Sequence, residues 1–307
     1  MSQATTSDRD GIASLLPEFD YRRLGLYFVI ILFVAFFVSP IWTGLVTSFK
    51  PPGEATQPLL PPGPELFTLD SWSRALDNLG RGFVNSFAMA IPATLVNVLL
   101  ASTAAYGLTL VDWRRQMLVV LLFVFGIFIP YQAILVPLDN FWTNIFPLAA
   151  EGLSLGGITL IPANERWGTL AELAITHIAY GIPICFLLFR SYYKTISKEL
   201  IEAAKVDGAS VTRIYTRIVL PLSTPMIGVV LIYQFTQIWN EFLFSLTLIG
   251  SSADKAATIT LILSGIGADL SGTNFPLRMA AAFLAALPTI VIYVMFAEQF
   301  AEGLSAG

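Results

Sequence analysis

The sequence from Ser197 to Pro225 decides the fold: it reads SKELIEAAKVDGASVTRIYTRIVLPLSTP. It is too polar to lie in lipid and too regular to be an unstructured loop. Ser197 is placed to cap a short helix that stops at Gly208, because glycine tolerates the left-handed conformation that ends helices. Ser210 is placed to cap a second helix that ends at Pro221. The segment therefore predicts a helix, a glycine turn and a helix between two apolar regions.

Long apolar stretches flank this segment on both sides. Of the 307 residues, 55% are hydrophobic and only 12% are charged, and the mean hydropathy is +0.72. A helix that crosses a membrane needs about 20 apolar residues. The chain is therefore predicted to be an all-α integral membrane protein with six transmembrane helices. These helices are expected roughly at Leu24 to Ser48, Phe83 to Leu110, Met117 to Leu138, Leu173 to Phe189, Met226 to Ile249 and Met279 to Ala297.

The basic residues set the expected orientation. With the N-terminus inside, eleven of the 17 Lys and Arg residues fall in inner segments and six in outer segments, as the positive-inside rule requires. The inner group includes the basic cluster from Arg190 to Arg217. Residues 1–22 are accordingly predicted to form a cytoplasmic tail and residues 23–307 a membrane domain. The chain is expected in the plasma or inner membrane of the cell, with both termini in the cytoplasm.

Composition and missing motifs exclude several functions. The formal net charge of −4 leaves no basic surface for nucleic acid. With one Cys (Cys185) and one His (His177), the chain cannot build a disulfide framework or a His-paired metal centre alone. It contains no G-x-x-x-x-G-K-[ST] phosphate loop and no G-x-S-x-G nucleophile elbow, so neither an ATPase nor a hydrolase of that kind is expected.

A spaced motif lies within the polar segment. Glu202-Ala203-Ala204 is followed after three residues by Gly208, and after nine more by Ile218-Val219-Leu220-Pro221. This string resembles the EAA signature of ABC importer permeases, which are the binding-protein-dependent transport inner membrane components. The fuller sequence is similar to the carbohydrate-uptake branch, specifically the maltose-type second permease subunit. Shorter strings that also resemble that branch are Pro130-Tyr131-Gln132, Trp239-Asn240-Glu241-Phe242, Leu287-Pro288 and Phe300-Ala301-Glu302-Gly303-Leu304.

The resemblance implies a coupling role for residues 197–221. In such importers this segment docks onto a separate ATPase subunit and passes its movement to the membrane helices. Residues 23–307 would then form an ABC importer transmembrane domain that binds no cofactor itself. Family members usually continue past the equivalent of residues 303–307 with a tail that reaches toward the ATPase, so the resemblance does not extend to a tail contact. The residues implied in ATPase coupling are Glu202, Ala203, Ala204, Asp207, Gly208, Ile218, Leu220 and Pro221.

The same resemblance implies four kinds of partner. They are a second permease subunit that forms a heterodimer with this chain, two ATPase subunits that use ATP and Mg, an external solute-binding protein, and the lipid membrane. The expected activity is non-catalytic: translocation of a sugar, either a monosaccharide or an oligosaccharide, by alternating access. A permease for a polyol or a glycerophosphate is the alternative within the class. The hypothesis that the chain is an ion-coupled secondary transporter is a further alternative, from a different class of protein.

Polar residues inside the apolar stretches are candidates for a translocation pathway. Glu241 is the only carboxylate well inside one of them, and an acid in lipid costs roughly 2.5 to 3.5 kcal/mol. One possibility is that Glu241 lines the translocation pathway together with Asn240 and Gln237. The other is that Glu241 makes a structural hydrogen bond to Asn240 or to a neighbouring helix. The sequence leaves both possibilities open. Other polar residues could bind sugar, but more often join helices. They are Asn85, Asn97, Gln132 and Gln234; His177 and Cys185 are expected to be packed and inert.

Overall fold

A computed structural model describes residues 21–54, 57–111, 114–266, 268–269, 272–299 and 301. The predicted tail at residues 1–22 therefore falls almost wholly outside the described residues, as do residues 303–307. The helices are α1 (Tyr21–Ser48), α2 (Asp70–Gly107), α3 (Gln116–Ile127), α4 (Tyr131–Asn140), α5 (Leu148–Glu151), α6 (Glu165–Tyr193), α7 (Lys198–Val206), α8 (Val211–Ile214), α9 (Leu220–Leu222), α10 (Thr224–Asn240), α11 (Leu243–Leu248), α12 (Ile259–Gly265) and α13 (Phe275–Met295). Two π-helical turns occupy Phe141–Ile145 and Tyr215–Val219. Two short antiparallel hairpins pair Leu153–Leu155 with Ile158–Ile161 and Ala268–Asp269 with Gly272–Thr273.

The helices fit a protein that crosses the membrane several times. Among the described residues, α1, α2, α6 and α13 are each long and apolar enough to span a membrane. Two bent helix pairs, at residues 116–151 and 211–248, bring the number to six if each pair counts as one span. The predicted fold class, an all-helical membrane protein, is confirmed.

The third predicted span is not one continuous helix. Helix α3 stops at Ile127 and α4 starts at Tyr131, with a bend of 95° between the two parts. Pro130 causes the break, because it has an extended backbone (φ −71°, ψ 147°) and its ring disfavours a helical conformation of the residue before it. The expectation of one helix from Met117 to Leu138 was therefore wrong.

The fifth predicted span is interrupted as well. Helix α10 ends at Asn240, and Glu241 takes an extended conformation with φ −69° and ψ 136°. Helix α11 then begins at Leu243. Glu241 lies at this break and not inside a continuous helix, which corrects the sequence-based placement.

Two other boundaries also differ from expectation. The second span was expected to start at Phe83, but the 38-residue α2 already begins at Asp70. The fourth span was expected to start after Glu172, whereas α6 runs from Glu165 and buries that residue. The Glu172 carboxyl group accepts a hydrogen bond from the Ala149 amide at 2.7 Å, so this buried polar group is paired with backbone.

The core consists of two apolar clusters with a polar junction between them. One cluster joins the first half of α2 to α12 and α13, and the other joins the second half of α2 to the end of α6 and the start of α10. At the junction, the Asn97 amide donates to the Ile178 carbonyl at 3.1 Å, and the Cys185 thiol donates to Gln234 Oε1 at 3.3 Å. These polar side chains hold helices together, as polar groups between membrane helices commonly do.

Asn85 also connects separate parts of the chain, and all of its side-chain hydrogen-bonding atoms take part. Its amide donates to the carbonyls of Lys255 and Ala257, at 2.9 and 2.8 Å, and its Oδ1 accepts from Arg166 Nε at 2.9 Å. The loop after α11 is thereby fixed to α2 and to the start of α6. Asn85 is therefore a structural residue.

Candidate functional site: coupling segment and intramembrane cleft

The polar segment folds as its sequence predicts, up to its last turn. Ser197 Oγ accepts from the Leu200 amide and Ser210 Oγ from the Arg213 amide, both at 3.3 Å. Gly208, between α7 and α8, has a φ of +76°. The helix–turn–helix prediction is confirmed.

The end of the second helix differs from the prediction. Beyond α8 the chain continues through a π-helical turn and α9 to Leu222, and bends by 76° into α10 only at Ser223. Pro221 lies in the first turn of α9, where a missing N–H is tolerated. The expectation that Pro221 ends the helix was therefore wrong by one residue, because the last helical residue is Leu222.

The start of α7 carries a local charge interaction. The Ser197 hydroxyl donates to the Glu199 carboxylate at 2.6 Å. This hydrogen bond lowers the pKa of the Glu199 carboxyl. The first turn of α7 thus keeps a negative charge, which the helix dipole favours at an N-terminus.

The motif residues divide into an outer and an inner set. Glu202, Ala203, Asp207, Gly208 and Pro221 are exposed on the segment's surface. The other three, Ala204, Ile218 and Leu220, are half-buried and pack against the apolar cluster at the ends of α2 and α6. Exposed residues can meet a partner, whereas the inner set ties the segment to the bundle.

Buried hydroxyl groups fix the segment to two membrane helices. Ser102 Oγ of α2 lies 2.6 Å from Tyr193 Oη of α6 and 2.8 Å from Tyr215 Oη of the second π-helical turn. Tyr106, one turn after Ser102, donates to the Val211 carbonyl at 2.9 Å. Sequence reasoning missed these residues; the available signal was the spacing of Ser102 and Tyr106, four residues apart on one helix face.

Removing the Ser102 hydroxyl should loosen this attachment. We expect Ser102→Ala to lower the free energy of unfolding by about 1–3 kcal/mol, because two buried tyrosine hydroxyls lose a partner. Thermal unfolding of the detergent-solubilised protein measures this loss. Thr103→Ala is the matched control, since the Thr103 hydroxyl is exposed and bonds only within its own helix. Equal melting temperatures for the two variants would contradict the prediction.

A cleft of about 670 Å³ opens between α3, α6 and α10. Gln237 lines it from α10 and also borders a second cleft against α13. Asn240 is exposed, and its amide donates to the Thr236 carbonyl of its own helix at 3.0 Å. Glu241 Oε1 accepts from the Phe244 amide at 2.9 Å and caps α11. Glu241 thus makes a structural hydrogen bond along its own chain, and Asn240 is not its partner.

The wall of the cleft contains residues that were assigned no role from the sequence. Tyr131 follows the break at Pro130, and its ring lies 4.2 Å from that of Tyr180 (centroid to centroid). Tyr180 Oη donates to the Ile129 carbonyl at 2.6 Å and so satisfies a backbone group at the break. His177 also lines the cleft, and its Nε2 lies 3.8 Å from Glu241 Oε2. Only the pairing of α4 with α6 in three dimensions brings these side chains together.

Comparison with known proteins identifies the family. Residues 68–304 match the model of the binding-protein-dependent transport system inner membrane component. The chain belongs to this family. It is a multi-pass membrane permease component and not the catalytic subunit of its transporter. Membership implies an ATPase and a solute-binding protein as partners, and the resemblance found in the sequence is confirmed.

Individual relatives of the permease agree with this assignment. It is 52% identical to the xylose/arabinose import permease protein XacI of Haloferax volcanii, over 99% of each chain. It is 35% identical to a probable ABC transporter permease protein of Pyrococcus horikoshii, over 93% of this chain and 96% of that one. A crystal structure of a bacterial ABC transporter for the acidic polysaccharide alginate matches with a TM-score of 0.70 at 18% identity, covering 93% and 99% of the two chains. The last comparison supports the fold alone.

Proposed function

We propose that this permease is one of two translocation subunits in an ATP-driven importer of a pentose such as xylose or arabinose. The observation that carries the proposal is the 52% identity to a xylose/arabinose import permease along practically the whole of both chains. The alignment includes both the coupling segment and the helices around the cleft. A shared substrate class is the simplest consequence of similarity that extends over every part of the molecule.

The partner arrangement follows from the two surfaces of the chain. In the proposal, the exposed motif residues Glu202, Ala203 and Gly208 contact one of two ATPase subunits, which bind ATP and Mg. Ala204, Ile218 and Leu220 pass the movement inward through their contacts with the bundle. A second, different permease subunit would cover the side on which Gln237 and Asn240 are exposed. This arrangement requires both termini to lie in the cytoplasm, on the side of the coupling segment.

Alternating access then has a mechanical basis in the anchoring contacts. Movement of α7 and α8 by an ATPase is transmitted to α2 and α6 through Ser102, Tyr193 and Tyr215. The bend of 76° at Ser223 separates the coupling segment from α10. Because rigid helices meet at defined bends, closure of the ATPases can tilt α10 and change access to the cleft.

The cleft favours a neutral substrate over an anionic one. Its described lining contains tyrosines, His177 and glutamines, with no Lys or Arg among them. A phosphate group is normally bound by cationic side chains or by a cluster of backbone amides. A glycerophosphate, the alternative left open by the sequence, therefore has less support than a sugar or another neutral polyol.

Purification of the tagged permease from its own membrane tests the proposal. We expect an ATPase and a second permease to co-purify, and the complex to hydrolyse ATP faster with a pentose-loaded binding protein. Proteoliposomes of this complex should take up xylose or arabinose, but not glycerol 3-phosphate, when ATP is supplied. Recovery of the chain alone, with uptake driven by an ion gradient, would refute the proposal.

A further inference from the structure

Two polar atoms face each other at the cleft without hydrogen-bond partners. His177 Nε2 and Glu241 Oε2 are 3.8 Å apart, and neither makes a hydrogen bond in the described structure. Their side chains are only 5% and 6% exposed. The separation is too long for a hydrogen bond, and buried polar atoms normally have one. The pair thus offers two unused hydrogen-bonding atoms, and a small polar group that reached them could bond to both.

A hydroxyl group has the chemistry that these two atoms require. It can donate to the carboxylate of Glu241 and, with the same oxygen, accept from an N–H at His177 Nε2. An oxygen placed beside the two atoms, about 2.8 Å from each, meets the hydrogen-bond distance at both. A cation would have only one carboxylate oxygen to bind, and an anion would be repelled by it.

The surroundings of the pair suit a sugar ring. The rings of Tyr131 and Tyr180 lie at 4.2 Å, and those of Tyr131 and Phe244 at 5.0 Å, which forms an aromatic wall next to His177. Gln237 adds an amide to the lining. Apolar and aromatic walls with a few placed polar groups are typical of small-molecule sites.

The two helix breaks give the pair a route of access. Glu241 is at the break between α10 and α11, and Tyr131 directly follows the break between α3 and α4. Non-helical backbone at membrane depth is tolerated where it is buried in protein or lines a cavity. In the conformation described, the two polar atoms are shielded, so binding from the cleft requires a shift at one of these breaks.

We propose that His177 and Glu241 form a subsite in this permease that binds one hydroxyl group of a neutral monosaccharide during its passage, against the ring of Tyr131. The inference rests on the sugar import proposed above. It assigns direct substrate contact to this chain and a binding role to a histidine whose sequence context indicates only packing.

Uptake by the complete importer in proteoliposomes tests the subsite. In His177→Phe, which keeps a ring against Phe244, we expect the KM for xylose or arabinose to rise at least about tenfold, the equivalent of one good hydrogen bond. Glu241→Gln should raise it in the same direction. ATP hydrolysis stimulated by the loaded binding protein should stay within about twofold of wild type. Thr247→Val is the matched control, since the Thr247 hydroxyl bonds only to the Leu243 carbonyl of its own helix.

Monodeoxy pentoses separate a contact with substrate from a structural role. Each analogue is supplied on the binding protein at saturation, after its affinity for that protein has been measured. One analogue should lower the uptake rate about tenfold with the wild-type permease but at most about twofold with His177→Phe, because the lost hydroxyl has no partner there. If every analogue slowed uptake equally in the wild-type permease and in His177→Phe, the subsite proposal would be wrong, and the role of His177 and Glu241 would be purely structural.

The failures of the two proposals are distinguishable. A wild-type importer that moves neither pentose refutes the proposed function, and the pentose subsite with it. Pentose uptake with unchanged KM in both His177→Phe and Glu241→Gln refutes the subsite alone. If His177→Phe prevents assembly of the complex, Glu241→Gln takes its place as the test, because its side-chain oxygen can still accept from the Phe244 amide. A normal KM in Glu241→Gln would then overturn the inference.

Discussion

Replacing Gly208 by valine is expected to abolish sugar uptake while the membrane helices stay folded. The φ of +76° at Gly208 lies in the left-handed region, where a β-branched residue is strained by about 1–3 kcal/mol. This strain is relieved most easily by a change in the angle between α7 and α8. Such a change moves Glu202 and Ala203 away from their positions relative to the bundle. We expect uptake into proteoliposomes to fall at least about tenfold.

The control for this prediction is Gly208→Asn. Asparagine enters the left-handed region far more readily than valine, and a side chain at this position meets open space, with no other atom within 4 Å of an added Cβ. Uptake by Gly208→Asn should therefore stay within about threefold of wild type, because strain at this residue is small. Normal uptake by Gly208→Val at equal expression would contradict the coupling role. Equal loss in both variants would instead locate the effect in the partner contact and not in the turn.

The coupling segment could be predicted from sequence because its signals are local. Ser197, Gly208 and Ser210 act on amides or dihedral angles within three residues of themselves. Caps and left-handed turns of this kind are set by residue type at fixed positions. The structure therefore reproduces the two helices and the turn with little influence from the rest of the chain.

A hydropathy profile could not predict the helix breaks or the residues that meet at the cleft. An average over about 20 residues gives one apolar span at residues 117–138 and does not register the break that Pro130 imposes. The break at Glu241 is stabilised by its bond to the Phe244 amide, which replaces a helical hydrogen bond. The approach of His177 to Glu241 joins a residue of α6 to one at the break between α10 and α11, and no spacing in the sequence indicates it.

The polar junction between the two apolar clusters is expected to be sensitive to added volume. A Cβ atom at Gly181 would overlap the side-chain amide nitrogens of both Gln234 and Asn97. We expect Gly181→Val to push α6 away from α2 and α10, break the hydrogen bond from Asn97 to the Ile178 carbonyl, and cost about 3 kcal/mol or more. The yield of folded protein and the melting temperature in detergent should both fall sharply.

Gly25→Val is the matched control, because Gly25 also lies in a helix but, among the described residues, an added Cβ there meets no atom outside its own helix backbone within 4 Å. A second comparison identifies the cause. Gly181→Ala should be more stable in the presence of Gln234→Ala than the sum of the two single changes predicts, since the second change removes one of the overlapping amides. Contacting residues typically show such coupling at about 0.5–3 kcal/mol. Strict additivity would mean that Gly181 is needed for its backbone and not for the close approach of three helices.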